Sequence, residues 1–411
     1  MNSKLLGLSL MINPILSIFT SILLKIDIKK HYIFIAIFFG YIAMLLEPSQ
    51  SVAFIKSDDI MRHYERYEGY NSYDLGLDFF SYLKETSNYN KDLFIPFVYY
   101  IGNLLNLKKE ILPFISVFIS FFCILKIFYI LFNNKKVINL NFLFLIIILF
   151  IDFRAAALGI RYYPAICLIT YGLFSYFYES RYKKAFFLIL FANIMHIATF
   201  TFTMIFICFI FIKKIIKQKY FYLLFYLTII ILFIPNLSTS VFYIISPLLH
   251  LDLSAYTDGY WAKEFISDLS ISGLMYFFMF KYTNLLFIFF TIIYLKNRVK
   301  QVNLYNFLIL TCFLTSFFHE FGSMFSKFLQ FWFLCSIILW LIYFSENKIK
   351  KNILYIIFSI TFILFISNVY TMRYFINETL IKLIFPTIYN ILFDSIPYEN
   401  FLYNDATGGI V

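Results

Sequence analysis

Residues Asn141–Ile151 read NFLFLIIILFI, and the chain then passes Asp152, Arg154, Gly159, Arg161, Tyr162, Tyr163 and Pro164 before turning apolar again. The first run has no water-facing stripe, and neither do Phe186–Ile212 and Phe221–Ile234. A helix that is apolar on every side is buried in protein or in lipid. Across 411 residues the chain is 62% hydrophobic and 23% aromatic, with a mean hydropathy of +0.80, which excludes a soluble globule. No alternating strand pattern points to a barrel, so the expected class is an all-α polytopic membrane protein.

A bilayer core of ~30 Å takes about 20 apolar residues per helix, which allows roughly eleven or twelve transmembrane helices here. The apolar runs place spans at 5–24, 32–47, 111–132, 138–151, 155–178, 185–212, 220–234, 272–296, 303–318, 328–345 and 352–371. Lysine and arginine gather in short clusters between them, at 25–30, 135–136, 181–184, 213–219, 296–300 and 348–351. Such clusters mark cytoplasmic turns. The clusters at 181–184 and 213–219 then share a side, yet the run between them is too short for two full crossings. A broken pair of helices turning near Ala192–Thr199, with His196 at the apex, is the favoured resolution; a single tilted helix, with the second basic cluster breaking the rule, is the alternative. Irregular backbone at that depth must be surrounded by protein or line a cavity.

On this topology the stretches 48–110, 250–271 and the tail 372–411 lie outside. The 48–110 loop carries nine acidic and seven basic residues, and within it Phe94–Leu107 reads as an interfacial helix. The first apolar run has no small-residue cleavage site and reads as an uncleaved helix. The net charge of +11 is spread over turns rather than a basic stripe, so no nucleic-acid partner is expected. The five cysteines lie within apolar runs with no CxxC pair, and the carboxylates form no second ligand cluster, so neither metal nor other cofactor is expected.

Cations beside a bilayer core need a reason. Arg154 and Arg161, seven residues apart on one continuous helix, would present to nearly the same face about 10 Å apart. Guanidinium groups take phosphate oxygens bidentately, so the two together suit a pyrophosphate; snorkelling to headgroups is the plainer reading of Arg154. His196, 35 positions after Arg161, would accept a proton from a sugar hydroxyl or donate to a phosphate; capping a helix end is its plainer role. Asp59 is a candidate base, with Arg62 and Tyr64 beside it as acceptor contacts, although mixed charge there also suits a solvated helix. Lys327, in the outer charged stretch with His319 and Glu320, is a further candidate phosphate contact, with snorkelling its plainer reading. Tyr260 and Trp261 suit stacking on sugars or interfacial anchoring.

Three segments resemble the EpsG/Wzy group of bacterial polysaccharide polymerases. Ser57–Tyr64 is similar to that group's Asp-x-x-x-x-Tyr element, Gly159–Ala165 to its Ile-Arg-Gln-x-x-Ala helix start, and Ala192–Ala198 to its Ala-x-x-x-His-x-x-Ala turn. Tyr162 replaces the usual glutamine, Lys327 stands where an arginine is common, and Ala198 falls one position early. The resemblance covers roughly residues 30–345. It implies a GT-C-like glycosyltransferase of the bacterial inner membrane. Such an enzyme moves a growing glycan from undecaprenyl pyrophosphate to a lipid-linked repeat unit of an O-antigen, capsule or exopolysaccharide. Its partners would be lipid-linked oligosaccharide and membrane lipids, with a chain-length regulator and a flippase as candidates. Arg161 and Arg154 would hold the pyrophosphate, and His196 or Asp59 would serve as base. The alternatives are a lipid-linked oligosaccharide flippase, which needs cations lining a central cavity between two similar halves, and a membrane acyltransferase.

Overall fold

A computed structural model describes residues 2–14, 16–17, 31–46, 59–71, 93–133, 135, 140–240, 271–348, 350–372 and 387. Among these, every regular element is helical and no strand is present. In chain order the helices are α1 (Asn2–Ile12), α2 (Tyr32–Met44), α3 (Asp59–Asn71), α4 (Phe94–Leu104) and α5 (Ile111–Phe132). Next come α6 (Leu140–Phe150), α7 (Phe153–Leu158), α8 (Tyr162–Phe177), α9 (Tyr182–Met195) and α10 (Thr199–Ile212). The last are α11 (Gln218–Ile231), α12 (Ile271–Leu295), α13 (Val302–Ser316), α14 (Gly322–Glu346) and α15 (Lys351–Thr371). Residues 18–24 of the first apolar run and most of 250–271 and 372–411 fall outside the described residues.

Four stretches are long and apolar enough to cross a bilayer: Ile111–Phe132, Phe278–Leu295, Met324–Glu346 and Lys351–Tyr370. They support an α-helical membrane protein, with fewer full-length spans among the described residues than the eleven or twelve expected. Two of the expected spans are broken, and α2, α6, α11 and α13 are shorter than a full crossing. The segment 155–178 is not one helix: α7 ends at Leu158, where the Gly159 amide bonds to the Ala155 carbonyl at 3.0 Å. A side chain at 159 would meet that same carbonyl oxygen at 2.7 Å, so glycine is required. Pro164 then lies in the first turn of α8, where its missing N–H interrupts no ladder. Asp152 caps α7, its carboxylate accepting from the Ala155 amide at 2.9 Å.

The segment 185–212 breaks at His196, whose backbone is extended between α9 and α10. Each of these helices has 14 residues, hence a length of about 21 Å, short of the ~30 Å hydrocarbon core. The chain reverses there. α9 starts beside Tyr176, with Tyr182 against its ring at 5.1 Å, and α10 returns to it, with Phe206 at 4.9 Å. Lys213, after α10, sits 5.6 Å over the same Tyr176 ring, while Lys184 in α9 pairs with Glu179 at 2.7 Å. The two basic clusters therefore share an end, as the turn at 192–199 requires. Outward-facing Phe186, Phe187 and Phe211, each more than 60% exposed, give the hairpin an apolar outer face suited to lipid.

The centre is α14. Trp332 and Trp340 are fully buried, and their indole N–H groups donate to Thr315 of α13 at 2.9 Å and Thr291 of α12 at 2.8 Å. A buried indole left unpaired would cost about 1–3 kcal/mol, so these bonds fix how α12 and α13 clasp α14. Elsewhere α2 packs on α5, α8 on α9, α11 on α13 and α6 on α15. Gly172 lets α8 and α9 approach closely, since a Cβ there would meet Ile189 at 2.8 Å.

These contacts give the bundle two unlike ends. At one, Lys135 reaches the Ser345 carbonyl at 2.6 Å, Lys296 covers Tyr222 at 4.3 Å and Arg298 covers Tyr294 at 4.2 Å. Together with Lys184 and Lys213 they form a lysine-rich end. The starts of α8 and α14, the His196 turn and the α13–α14 connection lie at the other.

Candidate functional site

Tyr162 opens α8 and is buried at the end opposite the lysine clusters. Three contacts meet on it. Its ring packs edge-on against His196 at 5.3 Å between centroids, and the Lys327 ammonium lies 5.5 Å from the ring centroid. Its hydroxyl donates to the Lys327 carbonyl at 2.5 Å. Arg161 is the residue just before it, half-buried at the break between α7 and α8. His196 and Lys327, from distant parts of the sequence, thus meet on one tyrosine, with Arg161 its neighbour along the chain. Phe202 in the first turn of α10 stacks on Phe331 of α14 at 3.8 Å and seats the His196 turn beside α14.

The turn is stapled from within. The Asn193 carboxamide oxygen accepts from the hydroxyls of Thr199 at 2.9 Å and Thr203 at 3.0 Å, joining α9 to α10. The Thr199 hydroxyl also reaches the His196 carbonyl at 2.7 Å. The Ala198 amide donates to His196 Nδ1 at 3.0 Å. Nδ1 is therefore an acceptor, and the neutral ring carries its hydrogen on Nε2. In that tautomer Nε2 is a donor, as a phosphate contact would need, whereas a general base would need a lone pair there. With two cationic side chains and a donor imidazole, the cluster suits an anion rather than acid–base exchange.

Arg154 does not pair with Arg161 on one helix face, because Gly159 ends α7 between them. It lies instead within electrostatic reach of Asp152, and the Asp152 amide bonds to the Tyr163 hydroxyl at 2.8 Å. Ser116 of α5 donates to the Ala156 carbonyl at 2.5 Å, anchoring this short turn from below.

Asp59 and Arg62 lie on α3, and their side chains fall outside the described residues, as do Tyr260 and Trp261 entirely. Tyr64 is buried, with the Lys109 ammonium 5.3 Å from its ring centroid. The neighbouring His63 bonds through Nδ1 to the Tyr99 hydroxyl of α4, and Tyr67 donates to the Leu107 carbonyl at 2.5 Å. Burial, with the Glu110 carboxylate adding to it, pushes the Tyr67 phenol up to about 12, so it remains a donor at neutral pH. Phe94 of α4 meets Phe191 of α9 at 5.8 Å, one turn before His196, so this loop unit flanks the same end.

A second polar group lies beyond α14. His319 Nδ1 is 3.1 Å from both the Ser316 carbonyl and the Ser238 hydroxyl, and its Nε2 is 3.9 Å from Glu320. The other Glu320 oxygen accepts from the amide of Thr239 at 3.1 Å and its hydroxyl at 3.2 Å. Lys281, inside α12, holds its ammonium 5.4 Å from the Phe325 ring. Among the described residues, no group of three or more His, Cys, Asp or Glu is placed to hold a metal ion.

Sequence reading singled out Arg161, His196 and Lys327 but not what organises them. Tyr162 drew notice only as a departure from a motif, and Asn193, Thr199 and Thr203 look like ordinary helix residues until the turn brings them together. Comparisons with protein-family models, curated proteins and solved structures gave no match.

Proposed function

We propose that this protein is a membrane glycosyltransferase that extends a polysaccharide, moving a growing glycan from a polyprenyl pyrophosphate carrier to a lipid-linked repeat unit. The observation that supports this reading most is the meeting of His196 and Lys327 on Tyr162, next in the chain to Arg161, at the end away from the lysine clusters. Positive-inside orientation would turn those clusters to the cytoplasm and open the Tyr162 site towards the outer side. A carrier pyrophosphate is held at headgroup depth, where half-buried cations meet it with its tail still in lipid.

In the transfer, negative charge grows on the departing pyrophosphate. Fixed donors stabilise it without having to reorganise, and the effect is largest where water is excluded. Arg161 supplies a planar fork for two phosphate oxygens, Lys327 a point charge and His196 Nε2–H an oriented neutral donor. The GT-C-like architecture, the bacterial inner membrane, and carrier lipids with a flippase or chain-length regulator as partners belong to the same proposal.

The test is polymer length in cells expressing Arg161→Ala, with membrane levels checked in parallel. Loss of the ladder while single repeat units still reach the surface supports the reading. Failure of any unit to reach the outer face supports a flippase instead. An unchanged ladder overturns the pyrophosphate role of Arg161.

A further inference from the structure

We infer that the α10–α11 and α12–α13 connections together form a binding site for an acidic phospholipid at the lysine-rich end of the bundle. The inference rests on the membrane placement of the protein and not on the chemistry of transfer.

The residues that join the two connections are polar and uncharged. Gln218 Nε2 donates to the Tyr222 hydroxyl at 3.1 Å, and that hydroxyl donates to Asn297 Oδ1 at 3.0 Å. Asn297 has a φ of 60°, a left-handed conformation that asparagine tolerates and that turns the chain sharply after α12. Both ends of this chain of bonds are flanked by cations. Lys217 and Lys219 stand on either side of Gln218, and Lys296 and Arg298 on either side of Asn297. All four are exposed, as are Lys214 and Lys300.

The site is built before any ligand arrives. Ile216 packs against the core and Val299 is buried, so each connection is anchored from beneath while its cations face outwards. The Lys296 ammonium lies 4.3 Å from the Tyr222 ring centroid, and the Arg298 guanidinium 4.2 Å from that of Tyr294. Side chains already held lose less freedom on binding. Among the described residues, no carboxylate comes within ion-pairing distance of these six cations; Glu179 is taken by Lys184 at 2.7 Å and Arg181 at 3.6 Å. Cations so concentrated repel one another, and a bound anion relieves that repulsion.

Apolar side chains beside the cations make the anion a lipid. Ile215, between Lys214 and Lys217, is 81% exposed. Phe211, one turn before Lys214, and Ile293, one turn before Lys296, are each more than 60% exposed. A soluble phosphate makes no use of such groups. A phospholipid lays its acyl chains on them and its phosphate against the lysines and Arg298, the arginine offering two parallel N–H donors.

The test is native mass spectrometry of the full-length protein in detergent, titrated separately with cardiolipin, phosphatidylglycerol and phosphatidylcholine. The wild type should retain the two acidic lipids and release phosphatidylcholine. Lys217→Gln, Lys219→Gln and Lys296→Gln combined should weaken acidic-lipid binding about a hundredfold, at roughly fivefold for each cation near such a headgroup. Lys214→Gln with Lys217→Gln, neither of which touches a ring, should weaken it about thirtyfold without disturbing packing. Lys348→Gln, Lys350→Gln and Lys351→Gln combined remove the same charge from the α14–α15 connection and should bind as wild type does. Unfolding temperatures in lipid-free detergent should match across the set. Equal retention of phosphatidylcholine, unchanged binding by the first two variants, or an equal loss in the third would overturn the inference. Displacement of the lipid by excess inorganic pyrophosphate would mean a site for soluble anions and would overturn it too. No glycan or polyprenyl carrier enters this assay, so failure of the transferase reading, seen as an unchanged ladder for Arg161→Ala, is a separate result.

Discussion

Replacing Tyr162 separates the two things it does. Its hydroxyl ties the entry of α8 to the Lys327 carbonyl at 2.5 Å, while its ring stands between His196 at 5.3 Å and the Lys327 ammonium at 5.5 Å. Tyr162→Phe removes only the hydroxyl bond. A net hydrogen bond is worth about 1 kcal/mol, and the Lys327 carbonyl lies within α14, so it does not become a stranded acceptor. One kcal/mol is a factor of about 5 in rate if the bond serves only to position Lys327. Tyr162→Ala also removes a ring that is 7% exposed, a loss of about 3–5 kcal/mol of packing, and it releases both His196 and Lys327. The assay pairs thermal unfolding in detergent with ladder length in cells. The Phe variant should fold normally and give a modestly shortened ladder; the Ala variant should unfold at lower temperature and give none. A Tyr162→Ala protein with wild-type stability and ladder would refute the claim that this ring organises the site. A Phe variant as inactive as Ala would mean that the hydroxyl itself touches substrate.

Other outcomes follow from the same geometry. Gly172→Val should destabilise by about 1–3 kcal/mol, because its Cβ meets Ile189 at 2.8 Å; lower membrane yield and unfolding temperature would register it. Of the five cysteines only Cys208 is exposed, so a maleimide on the folded protein in detergent should add once per chain, read by intact mass. Cysteines introduced at Lys183 and Lys217 should be labelled from one face of sealed vesicles, and one at Ile197 from the other; labelling of all three from one face would refute the hairpin. Burial holds His319 below its ordinary value of about 6.5, so folding favours the neutral ring. That contribution is intact above the ordinary value and is lost as pH falls through the lowered one, so His319→Gln should flatten the acid side of a stability–pH curve.

The α-helical membrane class, the lysine-rich turns and the break near His196 were legible in the sequence. Each is a one-dimensional property: the length of an apolar run, the charge between runs, or a run too short for the crossings its flanks demand. Arg161, His196 and Lys327 stood out for a related reason, since a polar group in an apolar context carries a cost wherever it folds. What the sequence determined, then, was which residues needed an explanation. It did not determine their company. The pairing of Arg154 with Arg161 assumed an unbroken helix, and Gly159 ends it because no side chain fits against the Ala155 carbonyl. The tautomer of the neutral His196 ring turned on one backbone amide at Nδ1, a contact made only by the turn. Tyr162 and Lys327 are 165 positions apart, and only the packing of α8 and α10 against α14 brings them together. Tertiary structure alone decided these points, because a hydrogen bond depends on where donor and acceptor meet in space, and spacing along the chain fixes that only within a single unbroken helix.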